Sequence, residues 1–218
     1  MAKNNIIKIV GVLKETPKLT LDAAEFEKQT FETKITAERR SGTEDVLILV
    51  FCGAAVGTKK ALEKMKNGTA VIVVGEVRTE NKRETVETEP TVKIYIDAVK
   101  ITEIDNIEEN TNEVKLCGKI CKDPRVRQTP KGTHVADLMV AVNGKKGASF
   151  IPCICWQNVA DAVVDVKKGM YVEVFGRFQS REYKKQIDGS IPFLMTAYEV
   201  SVTQLGIDFG EDQQEETN

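Results

Sequence analysis

The sequence has few of the features that mark membrane proteins or secreted proteins. No apolar run in its 218 residues approaches the roughly 18 residues that a membrane span needs. Residues 1–5 show no signal-peptide layout. The five cysteines are an odd number without a recurring spacing, which favours reduced thiols over a disulfide framework. We therefore expect a cytoplasmic protein.

Chemical groups for catalysis are also scarce. His134 is the only histidine, and no serine or cysteine stands near it in a recognisable nucleophile context. Cys117 and Cys121, like Cys153 and Cys155, have strand spacings, whereas zinc needs four convergent ligands. The acidic clusters fall in loop, linker and tail positions and do not pair for acid–base chemistry. The sequence therefore predicts no enzymatic activity, no cofactor and no metal site.

The net charge of −2 conceals an uneven distribution. Residues 1–105 carry 17 basic and 17 acidic side chains, whereas residues 112–205 carry 14 basic and 9 acidic ones. Residues 206–218 add five acids and no base. A basic module followed by an acidic tail fits nucleic-acid binding. It also fits a solubilising surface followed by a disordered tail, which is the interpretation that charge alone favours.

The chain repeats itself with a period near 100 residues, which indicates two similar domains rather than a solenoid. Residues 5–11 resemble residues 112–118 at an offset of 107. Two further sets of matches follow at offsets of 101 and 99: Gly68 and Gly75 with Gly169 and Gly176, then Ile94 and Ala98 with Phe193 and Ala197. Loop insertions and deletions within a duplicated domain produce such a drift.

The repeat and the composition set the domain boundaries. We predict a first domain over residues 1–105 and a second over residues 112–205. Residues 106–111 are polar and acidic, as a short linker should be. Residues 206–218 are predicted to be an acidic, disordered tail.

Each half is predicted to consist of strands with one helix. In the second half, periodicity and turn signals predict strands over residues 114–120, 135–143, 149–156, 170–181 and 191–203. Residues 157–166 have helical spacing, and the first half repeats the order with a helix over residues 58–66. We therefore predict an all-β chain of two tandem five-stranded OB-fold barrels, each with one helix between strands 3 and 4. From the pattern alone, another small barrel, such as an SH3-like one, stays an alternative.

The third strand of the second half carries two large aromatic residues on one side. Phe150 and Trp156 share one parity, and Ile151 shares the other with Cys153 and Cys155. Tyr183 stands among four cations near a hairpin tip. Exposed aromatics beside Arg and Lys would form a stacking platform for bases. The alternative is that Phe150 and Trp156 are core residues and Tyr183 is a loop residue.

A dense set of motif residues runs through the second half: Asn112, Val114, Leu116, Gly118, Asp123, Pro124, Arg127, Thr129, Pro130, Gly132, Ala141, Val142, Asn143, Phe150, Ile151, Pro152, Trp156, Lys168, Gly169, Val174, Gly176, Arg177, Ser180, Arg181 and Tyr183. Through them, residues 112–203 resemble bacterial single-stranded DNA-binding proteins. The resemblance implies that Phe150, Trp156 and Tyr183 stack on bases. Candidates for contact with the DNA backbone are then the cations nearby: Arg177, Arg181, Lys145, Lys146, Arg125, Arg127, Lys131, Lys184 and Lys185.

The first half looks like a diverged copy of the second. Val46, Cys52 and Lys82 stand where the three aromatics would be. It keeps cations that are candidates for DNA contact: Arg39, Arg40, Arg78, Lys82 and Arg83. Such a domain would bind DNA through phosphates alone, with strong salt dependence, or it would serve assembly without touching DNA. The sequence leaves both open.

The resemblance also carries expectations about partners. Members of this family commonly present four OB folds per assembly, so a chain with two would reach four as a homodimer. Their acidic tips dock replication and repair proteins and typically close with Pro-Phe. Residues 206–218 are acidic but hold no such Pro-Phe pair. The tail is therefore a candidate either for docking partners or for competing with DNA.

Taken together, these observations predict a non-enzymatic protein that binds single-stranded DNA without sequence preference. It would coat and protect unwound DNA in replication, recombination and repair. One alternative is an accessory OB-fold protein that acts mainly through protein partners, and another is an RNA-binding OB protein. A nuclease on an OB scaffold would need a convergent Asp/Glu set, and the sequence shows none.

Overall fold

The computed structural model describes residues 4–21, 29–52, 56–82, 91–186 and 192–208. The elements of the first half are β1 (Asn5–Leu13), β2 (Lys18–Leu21), β3 (Thr30–Glu38), β4 (Glu44–Cys52), α1 (Val56–Lys64), β5 (Ala70–Lys82) and β6 (Thr91–Glu103). Those of the second half are β7 (Asn112–Ile120), β8 (Arg125–Gln128), β9 (His134–Gly144), β10 (Gly147–Trp156), α2 (Asn158–Asp161), β11 (Tyr171–Lys185) and β12 (Phe193–Asp208). The all-β prediction is confirmed.

Each half closes into a barrel. The first follows the order β3-β4-β6-β5-β1 and the second the order β7-β11-β12-β10-β9. Additional pairings of β1 with β3 and of β7 with β9 close the two sheets. At these closures the strands approach so closely that a β-carbon on Gly11 or Gly118 would collide with the carbonyl oxygen of Thr36 or Ala141. Five long strands, with a helix between the third and fourth, give the predicted OB fold.

The short elements differ from the prediction. Periodicity missed β2 and β8, which are four residues each and pair with the next strand of their barrel. The predicted helix over residues 157–166 is wrong in length, because α2 ends at Asp161 and residues 162–165 form turns. β-Branched Val163 and Val164 have low helix propensity. Ala160, Val163 and Val166 are nevertheless buried, so the apolar spacing marked the buried side correctly.

The end of the second barrel lies further along the chain than predicted. β12 continues to Asp208, so residues 206–208 of the predicted tail belong to a strand. Residues 209–218 lie outside the described part, as does the tail prediction made for them.

The register of the last hairpin corrects one repeat match. Val77 pairs with Ile96 in the first barrel, and Phe178 pairs with Val200 in the second. The offset is therefore 101 for the first strand of the hairpin and 104 for the second strand, not 99. The hairpin of the second barrel holds three more residues between equivalent pairs, and sequence matching across that insertion chose the wrong register.

The two barrels join through β1 and β7, which pair antiparallel and merge both sheets into one of 12 strands. Ile7 pairs with Val114, its own equivalent at the offset of 107. Asn5 pairs with Leu116, and Ile9 pairs with Asn112. Each strand thus offers the same positions to the other, as in the isologous contact of a two-fold dimer. The two halves of one chain therefore pack like two subunits related by pseudo-two-fold symmetry.

Candidate nucleic-acid interface

The central strand β10 separates a core side from an exposed side. Ile151, Cys153 and Cys155 are buried in the barrel core. Phe150 is 52% exposed and Trp156 is 38% exposed. Two large aromatic side chains of this strand therefore remain open to a ligand, which is where base stacking requires them.

Tyr183 is placed differently from the other two aromatics. It is half-buried in the outer part of β11. The Arg181 guanidinium carbon lies 5.8 Å from the centroid of the Tyr183 ring, which is within reach of a cation–π interaction. Arg181 Nε also lies 3.6 Å from Glu199 Oε1. Arg181, a predicted contact for the DNA backbone, therefore lies over the ring of Tyr183, a predicted stacking residue.

Two equivalent junctions add to the β1–β7 contact. At one of them, the Phe150 N–H donates to Thr79 Oγ1 at 3.0 Å. At the other, the Val46 N–H donates to Ser180 Oγ at 2.9 Å. Val46 and Phe150 are equivalent at the offset of 104, and Thr79 and Ser180 at 101. Equivalent hydrogen bonds therefore form at both junctions: the second barrel donates at the first junction, and the first barrel donates at the second.

An apolar slot lies at the first junction. Its volume is about 260 Å³, and residues of both barrels line it: Thr79, Asn81, Val92 and Ile94 from the first, and Met139, Ala148, Phe150 and Pro152 from the second. We call this cavity the Phe150 slot. None of these eight side chains carries a charge.

A larger groove of about 850 Å³ lies at the second junction. Trp156 lines it together with the cations Lys14, Lys34, Arg39 and Arg181 and the acids Glu15, Glu44 and Glu182. We call it the Trp156 groove. Lys34 Nζ donates to Glu15 Oε1 at 2.7 Å, and this bond lowers the pKa of Glu15 and raises that of Lys34. The groove is therefore of mixed charge rather than uniformly basic.

A buried carboxylate of the first barrel engages two of the predicted backbone-contacting arginines. Asp45 Oδ2 accepts a hydrogen bond from Arg177 at 2.7 Å, and Oδ1 accepts from Arg39 and, at 2.9 Å, from the Ser180 N–H. Arg39 also donates to the Ser180 carbonyl at 2.8 Å. Burial lowers the pKa of Arg177, and the negative charge of Asp45 opposes that shift. Both arginines therefore hold the barrels together.

Two more of the predicted cations lie in contacts between the barrels. Arg78 is buried, and its Nη1 donates to the Gly147 carbonyl at 3.3 Å. Lys146 Nζ donates to Asp97 Oδ2 at 2.6 Å. These contacts connect the β9–β10 hairpin with the last two strands of the first barrel.

The other predicted cations lie at the surface. Arg127 is exposed, and its guanidinium is paired with Asp137, with Nε 3.0 Å from Oδ2. The remaining exposed members are Arg40, Arg125, Lys131, Lys145, Lys184 and Lys185. Arg83 and the side chain of Lys82 lie outside the described part of the structure.

Sequence reasoning missed the residues that join the barrels. The sequence did not predict a role for Asp45, because its partner Arg177 is 132 positions away. The Thr79–Ser180 equivalence was within reach, because it continues the Gly75–Gly176 match at the same offset. Asn5 and Asn112 marked the repeat, but their role needed coordinates. Each bonds both the N–H and the carbonyl of one residue, Val77 or Phe178.

The described residues offer little for metal binding or thiol chemistry. Within the described ranges, no three His, Cys, Asp or Glu residues come together as metal ligands would. Burial raises the pKa of the Cys155 thiol to about 12 and that of Cys153 well above its usual value. Of the helices that the structure describes, neither has the length and apolar character to cross a bilayer.

Residues 111–207 match the family model described as the single-strand binding protein family. Single-stranded DNA-binding protein A of Bacillus subtilis is 41% identical over 83 residues, which are 34% of this chain and 48% of that protein. Single-stranded DNA-binding protein 2 of Listeria monocytogenes is 38% identical over 99 residues, which are 42% of this chain and 61% of that protein. The chain thus matches about half of the length of these curated relatives.

The whole chain is similar in structure to a solved protein. The wild-type single-stranded DNA binding protein from Thermus aquaticus superposes with a TM-score of 0.74 at 18% sequence identity, covering 98% of this chain and 97% of that one. A deletion mutant of that protein gives a TM-score of 0.73 at 19% identity. The likeness extends over both barrels, so it supports the tandem OB fold of the full chain.

Proposed function

We propose, from the match of residues 111–207 to the single-strand binding protein family model, that this chain binds single-stranded DNA with little sequence preference. It coats unwound strands and protects them during replication, recombination and repair. The activity is binding in the cytoplasm, without catalysis.

The observation that carries this proposal is the exposure of Phe150 and Trp156 on β10. Complete burial of an exposed phenylalanine side chain is favourable by roughly 1.5–3 kcal/mol, and Phe150 and Trp156 forgo part of such a gain because they stay partly exposed. Ile151 and its two neighbours of the same parity already fill the core beneath them. A ligand with flat apolar faces would recover the lost burial, and unpaired bases have such faces.

In this proposal, base stacking and phosphate contacts both contribute to the affinity for DNA. Each stacked base contributes about 1–3 kcal/mol, and every base offers a π-face, so binding tolerates any sequence. Phosphates pair with surface cations, which releases counterions and makes the affinity fall as salt rises. Duplex DNA keeps its bases stacked inside the helix and cannot use Phe150 or Trp156.

The cations fall into two groups in this proposal. Arg39, Arg78, Lys146 and Arg177 hold the barrels together, because each bonds a group of the opposite barrel. Backbone contact is assigned to the exposed members of the predicted set that have no such bond to the opposite barrel in the described residues: Arg40, Arg125, Arg127, Lys131, Lys145, Arg181, Lys184 and Lys185. The first barrel then contributes mainly through its place beside the second.

We extend the proposal to assembly. One chain already pairs two OB folds through an isologous contact, so a homodimer would present four. The resemblance that the sequence shows favours that number. Protein partners that dock on residues 209–218 are proposed on the acidity of that segment alone.

The test removes the aromatics and spares the charges. Trp156→Ala with Tyr183→Ala should weaken binding to a labelled oligo-dT by roughly 2–6 kcal/mol if the two losses add. Tyr171→Ala is the matched control, because Tyr171 is an exposed tyrosine of the same barrel outside both cavities. Fluorescence anisotropy gives the affinities, and circular dichroism checks that both variants are folded.

Three results would overturn parts of this proposal. A double variant that binds as tightly as the Tyr171 control would remove the stacking assignment. Equal or tighter binding of oligo-U would favour the RNA-binding alternative. Strand cleavage after incubation with magnesium would contradict the absence of catalysis.

A further inference from the structure

We propose that the Phe150 slot binds one nucleobase of the DNA strand, and that the first barrel supplies the wall facing Phe150. The inference rests on the proposed function, because its ligand is an unpaired base. It goes further by giving the first barrel a direct part in binding, although that barrel has no aromatic at any of the three stacking positions.

The walls of the slot come from different barrels and face solvent. Phe150 belongs to β10 of the second barrel and is 52% exposed. Val92, on β6 of the first barrel, is 56% exposed. Ile94, two residues further along β6, continues the apolar wall. Large apolar side chains that are open to water on both sides of a cavity would gain from a flat apolar ligand between them.

The slot is formed before any ligand arrives. Thr79 of the first barrel accepts a hydrogen bond from the Phe150 N–H at 3.0 Å. The Arg78–Gly147 and Lys146–Asp97 bonds join the same two strand pairs nearby. These three contacts fix the first-barrel hairpin beside Phe150, so binding a base requires little further ordering of the protein.

The size and chemistry of the slot select a base over other parts of the strand. A volume of about 260 Å³ is below the about 300–1,000 Å³ of pockets for drug-sized ligands, and it suits a single flat heterocycle. A phosphate would find no cation among the lining side chains. Asn81 and Thr79 supply polar groups to the lining of the slot, and the edge of a base carries its own donors and acceptors.

The second junction, where the Trp156 groove lies, differs from the Phe150 slot at the equivalent positions. There, Val46 replaces Phe150, and Thr196 and Tyr198 replace Val92 and Ile94 at the offset of 104. Glu182 replaces Asn81 at the offset of 101, and charged side chains line the resulting groove. Only one of the two related junctions therefore combines an exposed phenyl ring with uncharged walls.

The test changes the first-barrel wall and leaves every aromatic in place. Val92→Ser in the full chain should weaken binding of oligo-dT about fivefold, the loss expected from the apolar area of one partly buried valine. Val99→Ser is the matched control, because Val99 is an exposed valine on the same strand outside the slot. The same two variants are then titrated with an abasic oligonucleotide of equal length at low salt, where Val92→Ser should bind like the control.

Each outcome decides the inference separately from the proposed function. A Val92→Ser variant equal to Val99→Ser on oligo-dT overturns the slot, and so does an equal loss on both oligonucleotides, which would indicate a structural effect. In a Phe150→Ala background, the Val92→Ser loss should shrink, because the base would then lack its opposite wall; an undiminished loss also overturns the slot. If the parent chain itself fails to bind oligo-dT, the proposed function fails instead.

Discussion

Trp156 and Phe150 are exposed because their neighbours on β10 fill the core. The alternation of β10 predicted which side would face inward, and burial of Ile151, Cys153 and Cys155 confirms it. Parity did not predict that Ile154, which shares the side of Phe150, is buried. Ile154 pairs with Asp137 of β9 and with Ser201 of β12. The sequence of β10 alone does not predict which strands will flank Ile154.

The thiols provide a test of this inward side. Burial raises the pKa of Cys155 to about 12 and that of Cys153 well above its usual value. Since the thiolate is the reactive form, neither should react with iodoacetamide at pH 8 in the native protein. Cys52 is exposed and should be alkylated readily. Mass spectrometry after timed labelling gives the rates, and unfolding in urea should make all five cysteines reactive.

The opposite labelling pattern would contradict this structure of β10. If Cys153 and Cys155 reacted as fast as Cys52 in native protein, the strand would expose the side assigned to the core. Phe150 and Trp156 would then point inward, and the stacking assignment would lose its structural basis.

Strands and hairpins were predictable to the extent that their contacts are local. Alternation and turn signals predicted the five long strands of the second barrel, because one side of each meets the core, and the first half was predicted to repeat their order. Alternation missed the β1–β7 pairing, since nothing local sets the register between residues more than 100 positions apart. Sequence charge makes Arg177 a candidate for DNA contact, and the structure adds that this residue bonds Asp45 of the other barrel. Contacts between the barrels depend on their packing, so charge patterns could not identify them.

The asparagines of β1 and β7 test the strand contacts directly. Asn5 Nδ2 donates to the Val77 carbonyl at 2.7 Å, and the Val77 N–H donates to Asn5 Oδ1 at 3.0 Å. Val77 is fully buried, so Asn5→Ala leaves two backbone groups without partners. We expect a loss of about 2–4 kcal/mol in the free energy of unfolding. Urea denaturation, followed through Trp156 fluorescence, measures it.

Asn4→Ala is the control, because Asn4 is an exposed asparagine next in sequence; it should change stability by less than about 0.5 kcal/mol. The fluorescence signal also reports whether the two barrels unfold together, since Asn5 belongs to the first barrel and Trp156 to the second. If Asn5→Ala left the Trp156 transition unmoved while far-UV circular dichroism shifted, the barrels would unfold separately, contrary to a shared sheet.

The whole molecule consists of two copies of one fold in a single chain, and the copies pack with pseudo-two-fold symmetry. The repeat predicted two domains of one fold, and the structure adds that they pack through equivalent surfaces into one sheet with one contiguous core. The sequence left the first half between weak DNA contact and pure assembly. The proposed Phe150 slot would unite the two, because the packing of the barrels brings the first-barrel hairpin beside Phe150. That proposal depends on the relative placement of the barrels, which the sequence does not give.

Trp156 is the only tryptophan, so its fluorescence reports directly on base stacking. We would titrate the full chain with oligo-dT, repeat the titration with a duplex of equal length, and then raise the salt. If bases stack on Trp156, oligo-dT should quench its fluorescence strongly, duplex should quench it little, and the affinity should fall steadily with salt. An unchanged Trp156 signal at saturating oligo-dT, or equal quenching by duplex, would contradict this stacking.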